Sequence, residues 1–125
     1  MAASGTVTVQ GNVMNLPTGA VSFGPLASTT AAAVVSEQTI SLSSGNNTIT
    51  LPANLTTLVL VGPNGANPQP NPSYGGVLTL KGVNGDTGVV FSSKWPLVLQ
   101  WDAGTSPSTI VVNASVSCTI NTWSM

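Results

Sequence analysis

Apolar and polar residues alternate with a period of two in several short stretches of this chain. Thr6-Val7-Thr8-Val9 sets Val7 and Val9 on one face of an extended segment and the threonines on the other. Gly11 to Leu16 continues it irregularly, Pro17-Thr18-Gly19 marks a turn, and Ala20 to Phe23 reads as a short strand stopped by Gly24-Pro25. The alanines at 31 to 33 favour helix, but Thr29, Thr30, Val34 and Val35 are β-branched and no amphipathic repeat develops. Ala27 to Val35 is therefore expected to be a loop entering a strand centred on Gln38 to Leu42. Ser43 to Asn47 has the composition of a hairpin loop. Thr48 to Leu51 alternates again and ends at Pro52, so Ile40, Leu42, Ile49 and Leu51 form a shared inward face.

Thr57 to Val61 is almost wholly apolar and bounded by Asn54 and Gly62, the pattern of a central strand covered on both faces. Gly62 to Gly76 holds Pro63, Pro68, Pro70 and Pro72 among asparagines and glycines. Proline removes backbone donors and sets φ, so this stretch predicts a long, stiff, solvated loop ending near Tyr74. Further strands follow at Val77 to Lys81, Val89 to Phe91, Leu97 to Trp101, Thr109 to Ala114 and Val116 to Trp123, with glycine turns at Gly82 to Gly88 and Gly104 to Pro107. About eight to ten strand-sized runs without a credible helix predict an all-β fold. We expect a single domain over residues 1–125: an antiparallel β-sandwich or a jelly-roll-like barrel, with residues 1–16 as an N-terminal arm or edge strand.

Composition changes this picture at one point. Hydrophobic residues make up 42% of the chain, enough for a core, but charged residues only 4%, against roughly 25% in an ordinary soluble domain. The surface must then be built from uncharged polar groups, with little repulsion to keep copies apart. Such a surface suits a secreted or viral domain with an uncharged polar exterior or, the better reading, a subunit of an assembly. With Lys81 and Lys94 as the only bases and no arginine, the chain cannot neutralise a run of phosphates, which argues against nucleic acid and anionic membranes as partners. The N-terminus carries neither a basic nor an apolar leader region, so synthesis and assembly in a cytoplasm are expected. In that compartment the sequons at Asn46, Asn54 and Asn113 have no role.

Candidate chemistry is thin. No histidine is present, which removes the commonest general base and metal ligand. Glu37, Asp86 and Asp102 are the only acids; Asp86 lies in a glycine turn, where aspartate ordinarily bonds its own backbone. Nothing frames Lys81 or Lys94 as a base for a serine nucleophile. Asn84-Gly85-Asp86-Thr87-Gly88 has one carboxylate where a calcium loop needs several oxygen ligands. Cys118 has no partner for a disulfide and is expected to be a small buried hydrophobe. We therefore expect no enzyme activity, no cofactor and no metal. Carbohydrate binding is the rival reading: Trp95 and Tyr74 sit in loops and are expected to be free, whereas Trp101 and Trp123, at strand ends, are expected to bury their rings. Partner contacts are expected at Val7, Val9, Pro68, Pro70, Tyr74 and Trp95, that is, on the N-terminal segment, the Gly62–Gly76 loop and the turn before the strand at Leu97.

Leu78-Thr-Leu-Lys-Gly-Val-Asn-Gly-Asp-Thr-Gly88, followed by KWPLVLQWD and preceded by GTVTVQGNV, NLPTGAVSFGP and NNTITLP, resembles small structural proteins of tailed bacteriophages. These carry a similar L-x-L-K-G-x-x-G-D-T-G core before a proline-led strand. The resemblance spans most of the chain. It implies a β-sandwich virion component assembled in the host cytoplasm, best read as a capsid decoration (cement) protein bound at capsomer junctions. The implied partners are the major capsid protein or other virion proteins, with the chain as a homo-oligomer or lattice-bound copy. The alternative it leaves open is a tail or fibre accessory protein that binds a glycan or receptor. It brings no catalytic or cofactor-binding residues with it.

Overall fold

The computed structural model describes residues 4–16, 19–31, 36–65 and 73–125, with side chains for 37–65 and 73–125. These residues form ten strands and no helix. They divide into two compact units, Met1–Val35 and Ser36–Met125.

The first unit is an antiparallel hairpin of β1 (Ser4–Leu16) and β2 (Gly19–Ala31). Val7 lies opposite Ser28 and Val9 opposite Leu26. The segment expected as an arm or edge strand is thus one limb of a ribbon. Two expectations change here. Gly24-Pro25 does not stop the second strand, because the register shifts between Val9 and Gly11 and sets two residues of β2 against Gln10. A proline that cannot donate to the ladder is accommodated at such a bulge. Ala27 to Ala31 is strand rather than loop, paired with Ser4 to Thr8.

In the second unit eight strands form two antiparallel four-stranded sheets. β3 (Ser36–Leu42), β10 (Cys118–Ser124), β5 (Thr57–Val61) and β8 (Leu97–Gln100) make one sheet in that order. The other runs β4 (Gly45–Thr50), β9 (Thr109–Ala114), β6 (Leu78–Lys81), β7 (Val89–Phe91). The expected β-sandwich is therefore present, and the sheets do not close into a barrel. β5 pairs with β10 on one side and β8 on the other, as expected for a central strand.

The register explains the core. Residues opposite each other in an antiparallel pair share a face. Ile40 faces Ile120, Leu42 faces Cys118, Leu58 lies between Ser124 and Leu99, and Leu60 between Thr122 and Leu97. On the second sheet Ile49 faces Ile110, Val112 faces Leu80, and Leu78 lies between Ala114 and Phe91. These apolar residues belong to one cluster, which includes the predicted inward set Ile40, Leu42, Ile49 and Leu51. Polar groups that enter the interior are provided for: no buried side-chain nitrogen or oxygen among the described residues lacks a partner.

The predicted hairpin at Ser43 to Asn47 is not one. β3 and β4 lie in different sheets, and the two residues between them carry the chain across the sandwich. Asn47 holds this corner. Its Oδ1 accepts from Ser43 N–H at 2.9 Å, and its Nδ2 donates to Ser43 O and Gly45 O at 2.9 and 3.0 Å. Local composition showed a tight turn but not its destination.

All three tryptophans lie in the Ser36–Met125 unit, so their fluorescence reports on the sandwich. Leu60→Ala, at a site with 0% exposure, should lower stability in urea by about 2–5 kcal/mol. Val83→Ala, at 62% exposure, should stay within about 0.5 kcal/mol of the wild type.

Candidate functional site

The turn at Gly82 to Gly88 is built by its own aspartate. Asp86 Oδ2 accepts from the Gly82 and Val83 N–H groups, each at 3.0 Å, and Asp86 N–H donates to Val83 O at 3.2 Å. Asp86 thus acts as the expected turn former. Gly88 completes the turn at φ 78°, where an added Cβ would fall 2.5 Å from Leu80 O, so only glycine fits. This closure pushes Val83 outward and leads directly into β7. Val83 is 62% exposed, Val89 71% and Val90 66%. β7 pairs only with β6 and forms the edge of its sheet. The β6–β7 turn and the open edge strand therefore expose three valines, with Val89, opposite Leu80, on the inner face of β7 and Val90, opposite Thr79, on its outer face.

Trp95 is 69% exposed. Ser92 Oγ accepts from the N–H groups of Lys94 and Trp95 at 3.1 and 3.0 Å, which tightens the β7–β8 turn. Lys94 Nζ lies 5.4 Å from the centre of the indole ring, a cation–π arrangement at the surface. Val77 and Val116 are exposed as well, near one another because Ser115 N–H donates to Val77 O at 3.0 Å.

Tyr74 corrects an expectation. Expected to stand free in its loop, it is 5% exposed and part of the core cluster. Its hydroxyl donates to Val116 O at 2.8 Å. Asn64 fastens the start of the loop to its end: Asn64 Nδ2 donates to Tyr74 O at 2.8 Å and to Ser93 Oγ at 2.9 Å, while Tyr74 N–H donates to Asn64 Oδ1 at 2.9 Å. The apolar body of the ring found the core, and its polar tip found a carbonyl. Burial pushes the Tyr74 phenol above its ordinary range, with the neighbouring Cys118 adding to the effect. Burial likewise raises the Cys118 thiol. Neither group is poised to react, since a reactive thiol needs a lowered pKa.

Trp123 also departs from expectation. Ile120, Thr122 and Ser124 alternate inward on β10, so Trp123 lies half-buried on the outer face, opposite Glu37 and Val59 and outside the core cluster. Trp101 packs against the core as expected. Its far side contributes, with Lys81, Asp86 and Val89, to an open cleft between the sheets.

Of the residues expected to meet partners, Trp95 lies on the surface and Tyr74 in the core. Val7 and Val9 lie in β1, in the other unit, and Pro68 and Pro70 fall outside the described residues. The exposed group that sequence reasoning missed is Val83, Val89 and Val90. Its signal was present as valines placed in a glycine turn and in a strand too short to be covered. Among the described residues no three of Cys, Asp and Glu gather closely enough to hold a metal ion.

No family model matches the chain, and no curated protein or solved structure matches it either.

Tyr74→Phe should cost about 1 kcal/mol at neutral pH through loss of the Val116 hydrogen bond. Folded Tyr74 holds its proton more tightly than unfolded tyrosine, so its contribution is intact below about pH 10 and falls as pH rises beyond that. Urea unfolding of the two proteins should therefore converge at alkaline pH.

Proposed function

We propose that this protein is a non-enzymatic structural component of a bacteriophage particle, acting as a capsid decoration protein at capsomer junctions. The observation that carries the reading is the pairing of an almost charge-free chain with exposed Val83, Val89 and Val90 at one sheet edge. Apolar groups concentrated at an edge are a contact surface rather than a solvated one, and a near-absence of charge suits permanent association with neighbours. The strand order adds support. Read from β3 to β10, the two sheets have the order of a jelly roll, in which two Greek keys interlock. Viral capsid domains and lectins share that architecture. This is an analogy of architecture, and function rests on the surface. The resemblance of the Leu78–Gly88 segment to tailed-phage structural proteins points the same way.

In this reading the protein binds the major capsid protein by shape and apolar contact, and its repeated placement on the lattice takes the place of high affinity at any one site. The alternative, a tail or fibre accessory protein, differs in location rather than in fold.

Purified heads lacking the protein should take it up at a fixed ratio to the major capsid protein and gain resistance to heat. Val83→Lys and Val90→Lys should fold as the wild type and bind heads at least about tenfold more weakly, because each places an unpaired charge in the contact. Labelling confined to tails, or uptake unchanged in both variants, would sink the decoration reading.

A further inference from the structure

The turn bearing Lys-Gly-Val-Asn-Gly-Asp-Thr-Gly and the indole of Trp101 meet at a place that the core leaves open. A cleft of about 620 Å³ lies between the two sheets, on the side where β7 and β8 are both edge strands. Its origin is geometric. Val89 pairs with Leu80 and so belongs to the inner face, yet it is 71% exposed. β7 has three residues and β8 four, too few to seal the sandwich here. The floor is Leu80, Leu99 and Ile110, and Trp101 stands at one side.

The polar part of the cleft is small and well held. Asp86 Oδ2 is engaged by two backbone N–H groups at 3.0 Å. This holds the carboxylate in place and leaves Oδ1 as an acceptor. Thr87 supplies a hydroxyl that can donate or accept. At Gly88 the wall has no side chain, because none would fit. An apolar floor, one indole and a few converging hydrogen-bonding groups are the makings of a small-ligand site.

We propose that this cleft binds an uncharged saccharide unit. The C–H face of a pyranose would lie against Trp101, one hydroxyl would donate to Asp86 Oδ1, and another would pair with the Thr87 hydroxyl. An anionic ligand would meet the Asp86 carboxylate, and a purely apolar one would leave its Oδ1 without a donor. Sugar recognition expected at Trp95 and Tyr74 thus moves to a third aromatic. The inference goes beyond the capsid reading and does not depend on it.

The test is a titration of the ¹⁵N-labelled full chain with glucose, galactose, mannose, N-acetylglucosamine and their disaccharides, into the millimolar range typical of weak single-site ligands. The amides of Gly82 and Gly88 and the indole N–H of Trp101 should shift saturably with at least one of them. Asp86→Asn retains an acceptor for the Gly82 and Val83 N–H groups but loses the charged one, and should weaken binding about tenfold. Trp101→Phe should weaken it as well, and Trp95→Ala should leave it unchanged. The proposal fails if no sugar moves these signals, if the shifts persist at full affinity in both Asp86→Asn and Trp101→Phe, or if Trp95→Ala abolishes them. Cleft shifts produced by an extended valine-rich peptide but by none of the sugars would assign the cleft to a protein strand and overturn it.

Discussion

The sandwich rests on one contact, between the inward rows of its two sheets. Leu58, Leu60 and Ile120 on one side and Leu78, Ile110 and Val112 on the other are nearly inaccessible to water. Each such side chain contributes roughly 1.5–3 kcal/mol when buried. The chain has few other sources of stability: its one cysteine rules out an intrachain disulfide. Surface charge is too sparse to contribute much, and exposed ion pairs are weak in any case. Within the sandwich, the connections are therefore arranged so that the two rows can meet.

That arrangement has a topological consequence. Most consecutive strands alternate between the sheets, so the connections must cross from one layer to the other. Crossing points expose backbone groups that no ladder satisfies. Uncharged amides take that role: Asn47 bonds backbone groups of Ser43 and Gly45 at the β3–β4 corner, and Asn64 bonds both backbone groups of Tyr74 at the far end of its loop. Ser115 works similarly, accepting from Val77 N–H at 2.7 Å. The abundance of Asn and Ser is thus partly a structural requirement of the strand order, and not merely a way to stay soluble without charge.

This explains which features were legible in the sequence. Period-two alternation is local, so Ile40, Leu42, Ile49, Leu51 and the central strand Thr57–Val61 were recoverable from it. Sheet membership is not local. Ser43 to Asn47 has the composition of a hairpin because a turn between two sheets needs the same small polar residues as a turn within one. Tyr74 was misread because its loop is rich in proline and asparagine, while the ring answers to a core formed by distant strands. Trp123 could have been placed by parity with Ile120, and the general tendency of large rings to bury was the weaker guide. For the candidate site the individual residues were visible but not their meeting: Asp86 and Trp101 are 15 positions apart in the chain and line one cleft.

The β7 edge shows how these constraints shape an exposed strand. A long, flat, apolar edge strand invites addition of another strand and open-ended aggregation, and proteins commonly blunt such edges with charge or by keeping them short. Charge is scarce here, and none falls within Val89 to Phe91, so length does the blunting. Three residues offer too little ladder to template a foreign strand, yet two of them still display valine side chains to solvent. An edge of this kind favours recognition through side-chain shape over backbone pairing. Side-chain recognition is specific to a complementary surface, whereas an open ladder accepts almost any extended chain. A chain with so little charge to repel unwanted copies needs that distinction, and the shortness of β7 supplies it.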